Sequence, residues 1–265
     1  MNLNLNGKRA LVSASSSGIG YSIALRLAKE GAEVILNGRS DETVKVALAK
    51  AKEEAPEAKF LTLAADLGTA DGAQRAITDY PEVDILVNNL GIYWPAEFAE
   101  TTDEDWTRIF EVNVMSGVRL TRHYFPRMIK ADWGRVIFIA SESAIMIPKE
   151  MIHYGFSKSA QLAISSGLAQ HTKGTGVTVN SVLPGPTQTD NVIEFMKSVI
   201  PGSADKEPTE IGRDFIAEHR PGSLLGRLID PDEIASLVAF VASPLSAAIN
   251  GAALRTEGGL VQSII

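Results

Sequence analysis

Positions 13 to 20 read Ser13-Ala14-Ser15-Ser16-Ser17-Gly18-Ile19-Gly20, directly after the apolar run Ala10–Ser13 and at the head of an amphipathic segment, Ile19–Gly31. Small residues and glycines let a chain turn tightly out of a strand, and they let backbone N–H groups approach a pyrophosphate. The positive end of the following helix favours the same anion. A plain strand–helix connection uses similar residues, so the weight of this stretch depends on what surrounds it.

Outward from that turn, short β-branched or apolar runs alternate with longer helical patterns. The runs are Ala10–Ser13, Glu33–Asn37, Lys59–Ala64, Ile85–Asn88, Arg135–Ala140, Val177–Leu183 and Ala252–Arg255. Between them lie Ile19–Gly31, Asp41–Ala55, Ala70–Asp79, Asp103–Lys130, Tyr154–Thr172 and Pro231–Ala242. Such alternation predicts a parallel sheet covered by helices on both faces. The runs are apolar almost throughout, as strands buried on both sides must be. The expected fold is therefore α/β: one doubly wound domain over residues 1–265, without repeats or linkers. The segment 191–226 breaks the rhythm with two short helical patterns, Val192–Ile200 and one starting at Pro208, separated by Pro201-Gly202. A long excursion at the carboxyl end of a strand reads as a substrate lid; a helical hairpin packed on the body or on a partner subunit is the alternative.

Composition narrows the function. The chain is 45% apolar and 22% charged, which suits a globular enzyme. It has no cysteine, so a disulfide framework, a thiolate nucleophile and a cysteine-bearing zinc site are all excluded. A net charge of −7 without basic clusters argues against a nucleic-acid partner. The polar start Met1–Arg9 lacks a signal core, and no apolar stretch is long enough to span a bilayer. These features predict a cytoplasmic protein without membrane contact.

Several residues point to a dinucleotide. The second strand ends at Asn37-Gly38-Arg39. An acidic residue there would bind ribose hydroxyls and repel a 2′-phosphate, whereas a guanidinium binds that phosphate. NADP(H) is thus favoured over NAD(H), the alternative being a solvated surface arginine. Asp66, with Leu67 beside it, is a candidate at the adenine, and a helix-capping role suits Asp66 nearly as well. Asn88-Asn89-Leu90-Gly91 closes the fourth strand, where asparagines tie neighbouring strands or reach a ribose.

At the reacting end, Tyr154 and Lys158 lie four apart on one helical face. A nearby ammonium lowers a phenol's pKa and readies it to exchange a proton with a substrate oxygen. Ser141 ends the fifth strand thirteen residues earlier, placed to bond that oxygen, with Ser143 as its competitor. Asn113 sits within a helical pattern that disfavours it, either bonding water, breaking the helix locally or simply lying exposed. His123, His153, His171 and His219 show no metal spacing, so no metal is assigned. His153 is either a pocket wall or an ordinary loop residue.

Together these pieces resemble the short-chain dehydrogenase/reductase family over essentially the whole chain. Its glycine motif is matched by Ser13 to Gly20, with Ala14 for the first glycine. Its Asn-Asn-Ala-Gly motif is matched by Asn88 to Gly91, with Leu90 for alanine. Its catalytic tetrad falls on Asn113, Ser141, Tyr154 and Lys158. Its Pro-Gly motif is Pro184-Gly185, and Thr256-Glu257-Gly258-Gly259 looks like its usual ending. The resemblance implies a Rossmann-like sheet of about seven strands and a homotetramer or homodimer. It places cofactor contacts at Ser13, Ser15, Ser16, Ser17, Gly18, Ile19, Gly20, Arg39, Asp66, Leu67, Asn89, Gly91, Tyr154, Lys158, Pro184, Gly185 and Thr187. It also implies that Thr187 faces the nicotinamide, that Lys158 binds its ribose and that Asn113 anchors a water. The expected activity is an NADPH-preferring carbonyl or 3-oxoacyl reduction on a small-molecule ketone. The alternatives are an NAD-dependent alcohol or sugar-alcohol dehydrogenase and a non-catalytic dinucleotide-binding scaffold.

Overall fold

The computed structural model describes residues 1–200, 202, 203 and 205–264. Seven strands form one parallel sheet: β1 (Arg9–Val12), β2 (Glu33–Gly38), β3 (Phe60–Ala64), β4 (Ile85–Asn88), β5 (Gly134–Ile139), β6 (Val177–Pro184) and β7 (Ala253–Thr256). Their spatial order is β3-β2-β1-β4-β5-β6-β7. Each strand lies within one residue of its expected bounds. Strands β4, β5 and β6 are buried at every position, which is why their apolar runs are unbroken.

Helices cover both faces. On one side α1 (Gly18–Lys29), α2 (Asp41–Glu54) and α9 (Pro231–Ala242) close a core around Val12, Leu36, Val87 and Val182. On the other, α3 (Ala70–Asp79), α5 (Ser116–Lys130) and α6 (Ile152–Ala169) close a second core around Leu11, Ile35, Leu86 and Val136. Adjacent residues of one strand thus enter opposite cores, as the two-residue period of a strand requires. Local signals start the helices. Ser40 and Thr43 form a capping box at α2, and Asp230 and Glu233 form one at α9, where Pro231 takes the first turn. Thr69, rather than Asp66, caps α3.

The expected helix Asp103–Lys130 is in fact three pieces. Helix α4 (Asp103–Phe110) runs into a π-helical turn, Glu111–Met115, before α5 continues. Asn113 lies in that turn, so the poor helix former sits where the helix is locally widened. Past β6, α7 (Asp190–Val199) and α8 (Pro208–His219) pack on each other around Ile193, Met196, Ile211 and Ile216, with Leu228 closing this third small core. Pro201, the expected break between them, and the side chain of Val199 lie outside the described residues.

Strand order reverses between β1 and β4, which run side by side with Val12 level with Val87. Open α/β sheets bind ligands at the carboxyl ends of strands beside such a reversal. The Ser13 turn and Asn88-Asn89 therefore meet there, with the ends of β5 and β6 next to them.

Candidate active site

The turn after β1 is held from three sides. Ser13 Oγ accepts the N–H groups of Asn89 and Leu90, each at 2.9 Å. Asn89 Nδ2 donates back to the carbonyls of Ser13 (2.9 Å) and Ala14 (3.1 Å). Ser15 Oγ donates to Val12 O at 2.7 Å and accepts Asn37 N–H at 2.8 Å. Ser13 and Ser15 are buried, and their hydroxyls are used in building the turn. The lip facing outward is Ser16, Ser17, Gly18 and Ile19. Ser17 sits at the N-cap of α1 without making a side-chain cap bond, so the first-turn N–H groups of that helix are left to an anion.

Glycine is needed at two positions of this turn. Gly18 has φ +57°, and a Cβ on Gly20 would stand 2.4 Å from both Ala14 O and Asn89 Nδ2. Ala14, in place of the family's glycine, adopts φ +51°. Its N–H donates to Asn37 Oδ1 at 2.8 Å, which helps hold it in that conformation. Asn37 Nδ2 in turn bonds Leu63 O and Ala65 O, so one buried amide joins the ends of β1, β2 and β3.

At the end of β2, a Cβ on Gly38 would meet Thr43 Oγ1 at 2.7 Å and Val44 Cγ2 at 2.9 Å. An acidic side chain has no room there. Arg39 beside it is exposed and makes no ion pair among the described residues. Asp66 is exposed and accepts Gly68 N–H at 3.0 Å, while the Leu67 side chain belongs to the second core. Beyond β6, Gly185 passes so close to Glu257 that a Cβ would lie 2.9 Å from its Cα, and Thr187 Oγ1 donates to Gly185 O at 2.8 Å.

The four candidate catalytic residues converge near the ends of β4 and β5. Asn113 Oδ1 accepts Ile92 N–H at 2.7 Å, and its Nδ2 donates to Ile92 O and Ser157 Oγ. Ser157 Oγ donates to Tyr154 O at 2.7 Å, which connects the π-helical turn to the first turn of α6. The Asn113 backbone carbonyl accepts Gln161 Nε2 at 2.6 Å. Lys158 Nζ donates to Ile139 O at 2.9 Å and lies 5.7 Å from the centre of the Tyr154 ring. A Cβ on Gly91 would stand 3.2 Å from that Nζ, so the glycine keeps the ammonium's surroundings open.

Ser141 Oγ donates to Glu142 Oε2 at 2.5 Å and lies close enough to the Tyr154 phenol to bear on its pKa. It also accepts Ser143 N–H at 3.1 Å, which makes Ser143 a supporting residue rather than its competitor. Aromatic rings wall the site. Tyr93 packs edge-on against Tyr154 (5.9 Å between centroids) and against Phe195 of α7 (6.4 Å), so the helical excursion reaches Tyr154 through one ring. His153 is buried between Trp94 and Trp106, and burial lowers its pKa, so it is a neutral core histidine.

The electrostatics correct one expectation. Four-residue spacing alone has Lys158 pulling the Tyr154 pKa down. In the structure, burial pushes the phenol well above its ordinary range and the Glu142 carboxylate adds to this, with the Ser141 bond only partly offsetting both. Lys158 is itself lowered to about 8 by burial, against the opposing pull of Glu142. The phenol therefore stays protonated at neutral pH, as a group that donates a proton to a forming alkoxide must be. Three residues of this network carried no motif. They are Glu142, Gln161 and Arg220, whose Nε lies 4.0 Å from Glu142 Oε1. For Glu142 a signal was available, an acidic residue directly after a strand-end serine.

Among the described residues no group of His, Asp and Glu is placed to hold a metal ion, and no helix is long and apolar enough to cross a membrane. The short chain dehydrogenase family model matches residues 8–199. An uncharacterized oxidoreductase, YvaG, of Bacillus subtilis (strain 168) is 53% identical over 264 residues, covering the full length of both chains. The D-beta-hydroxybutyrate dehydrogenase of Cupriavidus necator is 34% identical, over 97% of this chain and 99% of its own. Among solved structures, the L-sorbose reductase of Gluconobacter frateurii, complexed with NADPH and L-sorbose, superposes with a TM-score of 0.90 at 29% identity, over the whole of both chains. With the reversal of strand order, the glycine turn and the half-buried tyrosine beside a buried lysine in one site, the chain belongs to the short-chain dehydrogenase family and is an oxidoreductase acting between CH–OH and C=O.

Proposed function

We propose that this protein is an NADPH-preferring reductase that converts a ketone to a secondary alcohol. The observation that carries the reading is the cluster of buried Ser141 and Lys158 with half-buried Tyr154, whose phenol is pushed toward its protonated form at the mouth of a dinucleotide-type turn. The turn suits a pyrophosphate. Its first-turn N–H groups are not claimed by Ser17, and Gly20 leaves no side chain between them and Ala14. Gly38 leaves no space for a carboxylate, and the free Arg39 guanidinium suits a 2′-phosphate, which supports NADP(H) over NAD(H). Lys158 and Thr187 would hold the nicotinamide riboside end. When bound, the dinucleotide supplies the hydride.

The chain's own residues supply the rest. Ser141 and Tyr154 bond the carbonyl oxygen and orient it, and Tyr154 passes its proton to that oxygen as negative charge develops there. Lys158 keeps a positive charge behind the phenol and stabilises the phenolate left after transfer. The Asn113–Ser157 bonds fix the first turn of α6, and so the phenol's position. Helices α7 and α8, joined to Tyr154 through Phe195 and Tyr93, act as the substrate lid. Exposed Phe110 and Phe156 favour assembly into a homotetramer or homodimer, working in the cytoplasm.

A second reading, an alcohol or sugar-alcohol dehydrogenase, is favoured by Glu142 and Arg220, a charged pair suited to a hydroxylated substrate. An NADPH-oxidation assay on a 3-oxoacyl thioester, a cyclic diketone and a keto-sugar separates the readings. Turnover with NADPH and its loss in Tyr154→Phe supports the reductase; turnover confined to NAD and alcohols overturns it.

A further inference from the structure

Behind Ser141 lies a carboxyl group that the tyrosine–lysine chemistry does not require. Glu142 is 5% exposed although it sits in a loop at the mouth of the sheet. A buried acid is costly unless its oxygens are paired, and here one oxygen is bonded to the hydroxyl that must itself bond the substrate. The groups facing Glu142 come from three places. Ser141 and Ser143 flank it in its own loop, Tyr154 and Lys158 reach it from α6, and Arg220 arrives from the residue that ends α8, the second helix of the lid. Arg220 is itself largely buried: its Nη1 donates to His219 O at 2.8 Å, while its Nε has no hydrogen-bond partner among the described residues.

A serine hydroxyl has one proton. If the carboxyl is ionised, Ser141 donates to it and shows only lone pairs to the substrate oxygen, a match for an alcohol O–H. If the carboxyl is protonated, it donates to Ser141 Oγ, and the serine proton turns toward the lone pair of a ketone. No net proton is consumed by either arrangement, and the proton for the alkoxide still comes from Tyr154.

We propose that Glu142 is a positioning residue that sets which way the Ser141 hydroxyl proton points, and that Arg220 of the lid holds it in place for this. This inference rests on the oxidoreductase reading above and deepens it. Burial raises the carboxyl's pKa above its ordinary value, with Ser141, Arg220 and Ser143 opposing that shift. Ketone reduction then falls, and alcohol oxidation rises, as pH increases through the midpoint of Glu142.

The test measures kcat and KM in both directions across pH for the wild type, Glu142→Gln and Arg220→Gln. In Glu142→Gln the side chain no longer titrates, so ketone reduction loses its falling limb, which in the wild type is up to about tenfold per pH unit, and alcohol oxidation loses its rising one. Arg220→Gln moves the limb to higher pH, because the cation that favours the ionised form is gone. It carries the test if Glu142→Gln does not fold. A merely structural role lowers both directions alike and leaves the profile shapes unchanged, and that result overturns the inference while leaving the reductase reading intact. Absence of turnover by the wild type on any substrate defeats the functional reading itself, and the inference with it.

Discussion

Replacing Gly20 with alanine probes the turn on which dinucleotide binding depends. The added methyl would stand 2.4 Å from Ala14 O and 2.4 Å from Asn89 Nδ2. Neither neighbour yields freely. The carbonyl belongs to a residue already in the left-handed region, and the amide is held by two hydrogen bonds, to Ser13 O and Ala14 O. Overpacking of this kind costs about 1–3 kcal/mol. Displacing the Asn89 amide forfeits about 0.5–1.5 kcal/mol for each bond lost. Alanine's better helix propensity returns about 1 kcal/mol, since Gly20 is helical. The net is a destabilisation of about 2–3 kcal/mol. At an unfolding entropy of roughly 2.1 cal/mol/K per residue, it lowers Tm by about 4–5 °C for a chain of this length. Differential scanning calorimetry measures the shift, and titration with NADPH should show binding weakened at least tenfold. A Tm within 1 °C of wild type, with NADPH affinity retained, refutes the close packing described for this turn.

Three further outcomes follow from the same geometry. Ala14→Gly removes the cost of a left-handed alanine and adds unfolded-state freedom, so Tm should rise slightly, by about 0.5–1 kcal/mol in stability, as calorimetry will show. Arg39→Asp exchanges a phosphate-binding cation for a repelling anion and should swing the NADPH-to-NADH affinity ratio by about 100-fold, read by fluorescence titration; an unchanged ratio removes Arg39 from the site. Lys158→Met removes a buried ammonium whose pKa is depressed to about 8. Because that group favours the unfolded state at every pH below its unfolded value of about 10.4, the variant should be more stable than wild type at pH 7, with the advantage fading as pH rises from 8 toward 10.4, while activity is lost.

Strands β4, β5 and β6 were legible because both of their faces are buried, which leaves unbroken runs such as Val177–Leu183 in the sequence. The candidates Ser141, Tyr154 and Lys158 were legible as a group because their spacing on one helix and at one strand end is short-range. Burial of individual serines was not. Ser13 and Ser15 build the turn while Ser16 and Ser17 face outward, and nothing in a run of similar small residues separates the two roles. The π-helical turn at Asn113 was visible only as a residue unsuited to its helix, because the bonds to Ile92 and Ser157 that stabilise it come from other elements. Glu142 and Arg220 were passed over because their pairing exists only once the end of α8 folds back to bring Arg220 Nε within 4.0 Å of Glu142 Oε1. The direction of the Tyr154 pKa was misjudged for a similar reason. Four-residue spacing to a lysine says nothing of the burial and the third charge that outweigh it.

The most direct test of the central claim is NADPH oxidation by the purified wild type and by Tyr154→Phe on the same ketone. Loss of the phenolic proton donor should lower kcat by about 10²–10⁴-fold while NADPH affinity stays within a few-fold. Equal turnover by the two proteins would contradict the role given to Tyr154 and, with it, the mechanism built around the phenol.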